Sequence, residues 1–150
     1  MTEWKGLYFF YKEVIQLLQQ IYLYLICLGT FLVVDLFWLG IVARSFYREQ
    51  LGSLMADSTN WAAAIIFYLL FVAGVLVFVV NPAVEKSALG QSIGFGFLFG
   101  LITYATYDLS NLATLAGWPL KLTMVDLAWG GVRSAIVSLV GYLAASNIFA

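Results

Sequence analysis

Read for polarity alone, the chain is four long apolar runs separated by short polar breaks. The runs cover about 21–42, 61–80, 89–107 and 122–145. Between them stand Arg44, Arg48, Glu49, Gln50, Gly52, Asp57 and Asn60, then Asn81, Pro82, Glu85 and Lys86, then Ser110, Asn111, Gly117, Pro119 and Lys121. A bilayer core about 30 Å thick is crossed by about 20 apolar residues in a helix, so each run predicts one spanning helix and each break an aqueous turn. Runs so continuously apolar lack the two-residue alternation of a membrane barrel. The expected fold is all-α, an integral membrane bundle of four transmembrane helices.

The first twenty residues follow a different pattern. Lys12, Gln16, Gln19 and Gln20 recur at helical spacing on one face, while Leu7, Tyr11, Val14, Ile15 and Leu18 occupy the other. This predicts an amphipathic N-terminal helix, begun by Trp4, Tyr8, Phe9 and Phe10. It either lies in the membrane interface or extends the first span toward a partner. A positive start, short apolar run and small-residue cleavage site do not occur in that order, so a cleavable signal is not read here. The chain divides into 1–20, an interfacial or partner-docking helix, and 21–150, the four-helix membrane domain.

Composition strengthens the membrane reading and narrows the chemistry. Hydrophobic residues make up 63% and charged ones 10%, against roughly 45–50% and about 25% in soluble domains. A formal net charge of -1 offers no polyanion surface, so no nucleic-acid partner is expected. With no histidine and one cysteine, Cys27, the chain lacks the makings of zinc fingers, disulfides, histidine-ligated haem, and Ser-His-Asp or Cys-His catalysis. No metal ligand set and no catalytic residue is assigned, and no cofactor is indicated. Basic residues do not settle orientation: Lys5, Lys12 and Lys86 fall on the side of the termini, Arg44, Arg48 and Lys121 on the other. The closeness of Arg44 and Arg48 to a span favours a cytoplasmic loop there.

Few ionisable groups interrupt the runs: Asp35 in the first, Asp108 at the end of the third, and Asp126 and Arg133 in the fourth. Chain direction puts all three aspartates in one leaflet, with Asp35 about 10 Å and Asp126 about 6 Å below the surface. The carboxylates are therefore expected to converge. Tyr104, Asp108 and Asn111 share a face of the third helix, with Thr103 and Tyr107 adjacent, a stripe of hydrogen-bonding groups. Asp126, Trp129, Gly130 and Arg133 form a stripe on the fourth, and Asp35-Leu-Phe-Trp38 echoes Asp126-Leu-Ala-Trp129. Arg133 must face the bundle, water or a partner. Asp35 is the carboxylate nearest it in depth across the bundle. Trp38 and Trp129, like Gly96 and Gly100, are read as packing or interface positions. Gly90 and Gly94, Gly131 with Ala135, and Gly141 with Ala145 extend the same small-residue reading.

The segment Asp35-Leu-Phe-Trp-Leu-Gly-Ile-Val-Ala-Arg-Ser-Phe-Tyr-Arg-Glu-Gln-Leu-Gly, with Asn60-Trp-Ala-Ala, the run Tyr104 to Leu120, and Val125-Asp-Leu-Ala-Trp-Gly, resembles a bacterial family of predicted membrane proteins, the domain-of-unknown-function family 2177. The resemblance covers about 22–145. It implies four spans, a location in the bacterial inner membrane and no established activity. Asp35, Trp38, Arg44, Tyr47, Arg48, Tyr107, Asp108, Asn111, Trp118, Pro119, Asp126 and Trp129 stand at its motif positions. Two features depart from it: the longer amphipathic extension, and Arg133 where an uncharged residue is implied. Either suggests adaptation to a partner protein.

Three functions compete. In the first, Asp35, Asp108, Asp126, Arg44, Arg48, Tyr104, Tyr107, Asn111 and Arg133 form a ligand-binding or proton-relay site for a small polar molecule, cation or proton. Four spans are few for a carrier, so a homo-oligomer is implied. In the second, the protein is a non-catalytic accessory subunit docked on a larger membrane complex. An enzymatic third, with paired aspartates as acid and base or magnesium ligands, is disfavoured because no complete catalytic motif is present.

Overall fold

The computed structural model describes residues 3–148, with side chains from Gly6 onward. Met1 and Thr2 of the first expected unit, Phe149 and Ala150 of the second, and the side chains of Trp4 and Lys5 lie outside the described residues. Helix α1 runs over Glu3–Phe37 and continues through a π-helical turn at Trp38–Val42. A short helix α2, Arg44–Leu51, and a 3-10 turn at Gly52–Leu54 follow. Helix α3, Trp61–Val75, passes through a second π-helical turn, Leu76–Val80, into α4, Asn81–Glu85. Helices α5, Leu89–Thr114, and α6, Leu120–Ile148, complete the fold. Among the described residues, four helical stretches are long and apolar enough to cross a membrane: Gly6–Val42, Trp61–Glu85, Leu89–Thr114 and Leu120–Ile148.

Local sequence explains the punctuation. The Asn60 side chain accepts a hydrogen bond from the Ala63 amide at 3.1 Å, capping α3 where the apolar run begins. Gly117, at φ +80°, makes the left-handed turn between α5 and α6, and so short a connection makes these helices antiparallel neighbours. The stretch expected as an amphipathic helix is continuous with the first span; of its polar positions Lys12 and Gln16 are exposed, and only Gln19 and Gln20 reach the bundle. Gln19 donates to the Ile148 carbonyl at 3.1 Å, and Asn81 donates to Gln20 at 3.2 Å.

Burial is inverted relative to a water-soluble domain. Leu36, Ile41, Leu70, Phe78 and Met124 face outward, whereas Asp35, Ser92, Asp108, Thr123, Asp126, Arg133, Ser134 and Ser138 are buried. That distribution suits a lipid surround, where apolar side chains meet hydrocarbon and polar ones must find partners inside. On α1 the buried stripe is Leu23, Cys27, Phe31 and Asp35; on α5 it is Ser92, Gly96, Gly100 and Asp108, with half-buried Tyr104 in step. Four-residue spacing aligns each stripe as a ridge on one helix face. Both ridges are apolar or small along their length and end in a carboxylate toward the loop side.

Helix α6 packs against all the others and carries the receiving surface. A Cβ on Gly100 would lie 2.0 Å from the Gly130 carbonyl oxygen, and one on Gly96 would lie 2.4 Å from the Ser138 hydroxyl. Backbone approach this close requires glycine, as the small-residue pattern anticipates. Gly131 and Gly141 are confined less tightly and by side chains, a Cβ there lying 2.7 Å from the Phe97 ring and 2.8 Å from the Cys27 sulfur. Gly90 and Gly94 correct the reading: a Cβ there meets nothing within 4 Å. Gly94 and Gly96, two residues apart, differ by about 200° around the helix, so the Gly90/Gly94 and Gly96/Gly100 patterns face opposite ways.

Candidate functional site

The two ridges place their terminal carboxylates against α6 from different sides. Along α1 and α6 the register is regular: Gln19 meets Ile148, Cys27 meets Gly141, Asp35 meets Arg133 and Trp38 meets Trp129. Each step up α1 is matched by a step back along α6. The same antiparallel logic on α5 brings Ser92 to Ser138, Gly96 to Ser138 and Ser134, and Gly100 and Tyr104 to Gly130. One more turn puts Asp108 in the neighbourhood of Asp126. The expected α6 stripe thus divides: Trp129 and Arg133 turn to α1, while Gly130 turns to α5.

Arg133 is buried and donates from Nη1 to Asp35 Oδ1 at 2.5 Å. This is the partner that depth along the helices predicts. Its guanidinium lies 4.1 Å from the Phe31 ring centre and 5.0 Å from those of Phe71 and Tyr104. Aromatic faces carry negative potential and attract a cation most strongly where water is excluded. Nε and Nη2 have no hydrogen-bond partner among the described residues, so aromatic rings supply much of this cation's surroundings.

One turn nearer the loops, Trp38 and Trp129 stack with centres 4.2 Å apart and planes within 9°. The two Asp-x-x-Trp motifs cross at this stack because their helices are antiparallel: Asp35 lies below it and Asp126 above. The Trp38 indole donates to the Tyr47 hydroxyl at 3.3 Å, and that hydroxyl donates to Asp126 Oδ1. Burial and the facing Asp126 carboxylate push the Tyr47 hydroxyl well above the ordinary tyrosine range. Tyr47 reaches inward from α2 because the π-helical turn at Trp38–Val42 and buried Ala43 fold that helix back over the bundle. Asp108 is fully buried, and neither of its carboxylate oxygens has a hydrogen-bond partner among the described residues.

Beside this cluster a cavity of about 380 Å³ is lined by Phe67, Phe71, Thr103, Tyr104, Tyr107 and Asp126. Helices α3 and α5 meet lower down, through Gly74, Phe71 and Phe99, and the cavity lies on the loop side of that contact. Of the residues singled out from sequence, Asp35, Trp38, Tyr104, Asp108, Asp126, Trp129 and Arg133 come together here. Tyr107 is 61% exposed at the cavity rim and meets Trp118 edge-on at 5.8 Å. Arg44 and Arg48 do not join the cluster: both are exposed on α2, on the faces that Tyr47 leaves outward. Asn111 is half-buried, nearly a turn beyond Asp108, and its side chain makes no hydrogen bond to the cluster among the described residues. Phe31, Phe67 and Phe71 escaped the sequence reading. Phe31 stands one helical turn before Asp35 on α1, which was a usable signal, whereas the four-residue spacing of Phe67 and Phe71 on α3 cannot be told from ordinary lipid-facing residues in so apolar a helix.

The predicted membrane protein family DUF2177 matches residues 20–143. This covers the first three apolar runs, all but the last two residues of the fourth, and every polar residue of the cluster. No curated protein and no solved structure matches the chain. With the match spanning most of its length and four helices able to cross a bilayer, the chain belongs to the DUF2177 family of predicted membrane proteins.

Proposed function

We propose that this is an integral protein of the bacterial inner membrane that binds, and in an oligomer moves, a small cation or proton at the cluster between α1, α5 and α6. The carrying observation is a charge imbalance. Asp35 is neutralised by Arg133, while Asp108 and Asp126 are buried without any basic partner among the described residues. Buried carboxylates in a membrane bundle are costly unless they take up a proton or a cation. Exposed Arg44 and Arg48 would then lie at the mouth rather than in the site. The test is thermal unfolding of the purified protein in mild detergent across cation concentration and pH. A bound cation at one hundred times its dissociation constant stabilises by about 2.7 kcal/mol, and Asp126→Asn and Asp108→Asn should lose that response. A wild type that melts identically under all conditions would overturn the reading.

A second reading, the accessory subunit, is favoured by one observation. The amino-terminal stretch of α1 displays Leu7, Tyr8, Phe9, Phe10 and Tyr11, each more than 60% exposed. At 1.5 Å per residue α1 is about 50 Å long, well beyond the roughly 30 Å of a bilayer core. In that reading residues 1–20 are a docking helix. A stoichiometric partner that is retained in mild detergent and lost when residues before Gln19 are removed supports it; a protein that runs alone in both forms does not.

A further inference from the structure

We propose that the cavity between α3 and α5 takes an alkylated ammonium group, with its charge on Asp126 and its carbon substituents against Phe67, Phe71, Tyr104 and Tyr107. This rests on the cation-binding reading above and names the class of cation. The molecule already holds one internal cation by the same means. Arg133 sits on a carboxylate, Asp35, within the faces of Phe31, Phe71 and Tyr104. The cavity shares Phe71 and Tyr104, adds Phe67 and Tyr107, and offers Asp126 as its carboxylate, while none of its lining residues is basic.

Size and donor set argue against a bare ion. A volume of about 380 Å³ falls within the range of small-molecule pockets. A hard metal cation wants six or more oxygen donors. The Thr103 hydroxyl is already committed to the Phe99 and Gly100 carbonyls at 2.9 and 3.0 Å, and Asp126 Oδ1 to Tyr47. The lining side chains offer at most five oxygens, from Thr103, Tyr104, Tyr107 and Asp126, short of a hard cation's six or more, but present four aromatic rings, which recognise a weakly hydrated organic cation. Unpaired Asp108 nearby adds negative potential and repels anions. Phe67 is 43% exposed and Tyr107 more so, so the cavity opens sideways between the helices, and the ammonium can belong to a free cation or to a lipid headgroup.

The test is calorimetric titration of the detergent-purified protein with tetramethylammonium chloride, against sodium and potassium chloride at equal ionic strength. Saturable binding of the ammonium alone is expected. Phe67→Leu and Tyr107→Leu change partly exposed rings and should weaken it by about 3- to 30-fold while the protein stays folded, with a single cooperative melting transition; Asp126→Asn should abolish it. A repeat in nanodiscs separates the sources. Competition by phosphatidylcholine, but not phosphatidylglycerol, assigns the site to a headgroup; undiminished binding in both assigns it to a free cation. Asp126-dependent binding of sodium, potassium or protons with none of tetramethylammonium overturns this inference and leaves the cation-binding reading standing. Absence of all cation and proton binding overturns both.

Discussion

Arg133 shows how one side chain organises the site. Its pairing with Asp35 takes place at 2.5 Å in a region from which both are almost wholly excluded from solvent. Breaking such a pair leaves an uncompensated buried charge, at a cost of roughly 3–5 kcal/mol, whereas replacing both partners by apolar residues costs far less. Arg133→Leu and Asp35→Leu should therefore each lower stability in detergent strongly, and the double variant should recover much of the loss. Additive losses would contradict the pairing. Tyr47 supports a second expectation. Its hydroxyl is raised above the ordinary value by burial and by Asp126, while in the unfolded chain it titrates near 10. Below about pH 10 both states hold the proton and the full stabilisation is present. As pH rises further only the unfolded state releases it, and stability falls. Tyr47→Phe should flatten that alkaline decline, and at neutral pH should cost about 1.5–3 kcal/mol for the lost hydrogen bond to a carboxylate. Melting curves across pH, read beside phenolate absorbance, check both parts.

At the scale of elements, the α5 and α6 pair sets the geometry on which the site depends. Its contact is made by glycine and serine, so side-chain volume is the sensitive variable. Gly100→Ala would push a methyl into the Gly130 backbone, which cannot yield without moving a helix. Overpacking of this kind costs about 1–3 kcal/mol and should shift Tyr104 and the cavity wall with it. Gly94→Ala faces open space and should be neutral or stabilising by up to about 1 kcal/mol, since alanine favours the helix. Equal effects of the two substitutions on the melting temperature would show that the helices do not meet as described. The two π-helical turns belong to this scale as well. The first carries Trp38 to its stack and redirects the chain into α2, and the second joins α3 to α4. Neither is visible as a break in apolar pattern.

At the scale of the whole molecule, four helices running alternately up and down put the loop of α2 on one side and the α4 to α5 connection on the other. Buried Cys27 provides an unreactive background for mapping this. Ser53→Cys and Lys86→Cys, both at exposed positions, should label from opposite faces of sealed vesicles with a membrane-impermeant reagent. Labelling of both from one face would exclude the four-span arrangement. The molecule as a whole also concentrates its polarity: the buried ionisable groups gather in the half of the bundle beneath α2, while the opposite half is closed by Leu23, Cys27, Val80 and Ala145. A site at one end, reached sideways between α3 and α5, follows from that asymmetry.

Hydropathy by itself determined the number of spans, because about twenty apolar residues in a helix have one low-energy place, across a bilayer. Helical rise and chain direction also put Asp35, Asp108 and Asp126 in one leaflet and make Asp35 the carboxylate nearest Arg133 in depth, since rise per residue is constant. Depth does not specify azimuth. Only the packed helices decided that Asp35 takes Arg133 while Asp108 and Asp126 remain without a cation, that Arg44 and Arg48 point away, and that Gly96 and Gly100 touch α6 while Gly90 and Gly94 do not. Likewise Phe67 and Phe71 are indistinguishable in sequence from the lipid-facing residues around them. They become cavity walls only because α3 and α5 meet at Gly74 and Phe99 and leave a cavity on the loop side of that contact, and a cavity between helices depends on the shapes of both surfaces at once, which no single segment encodes.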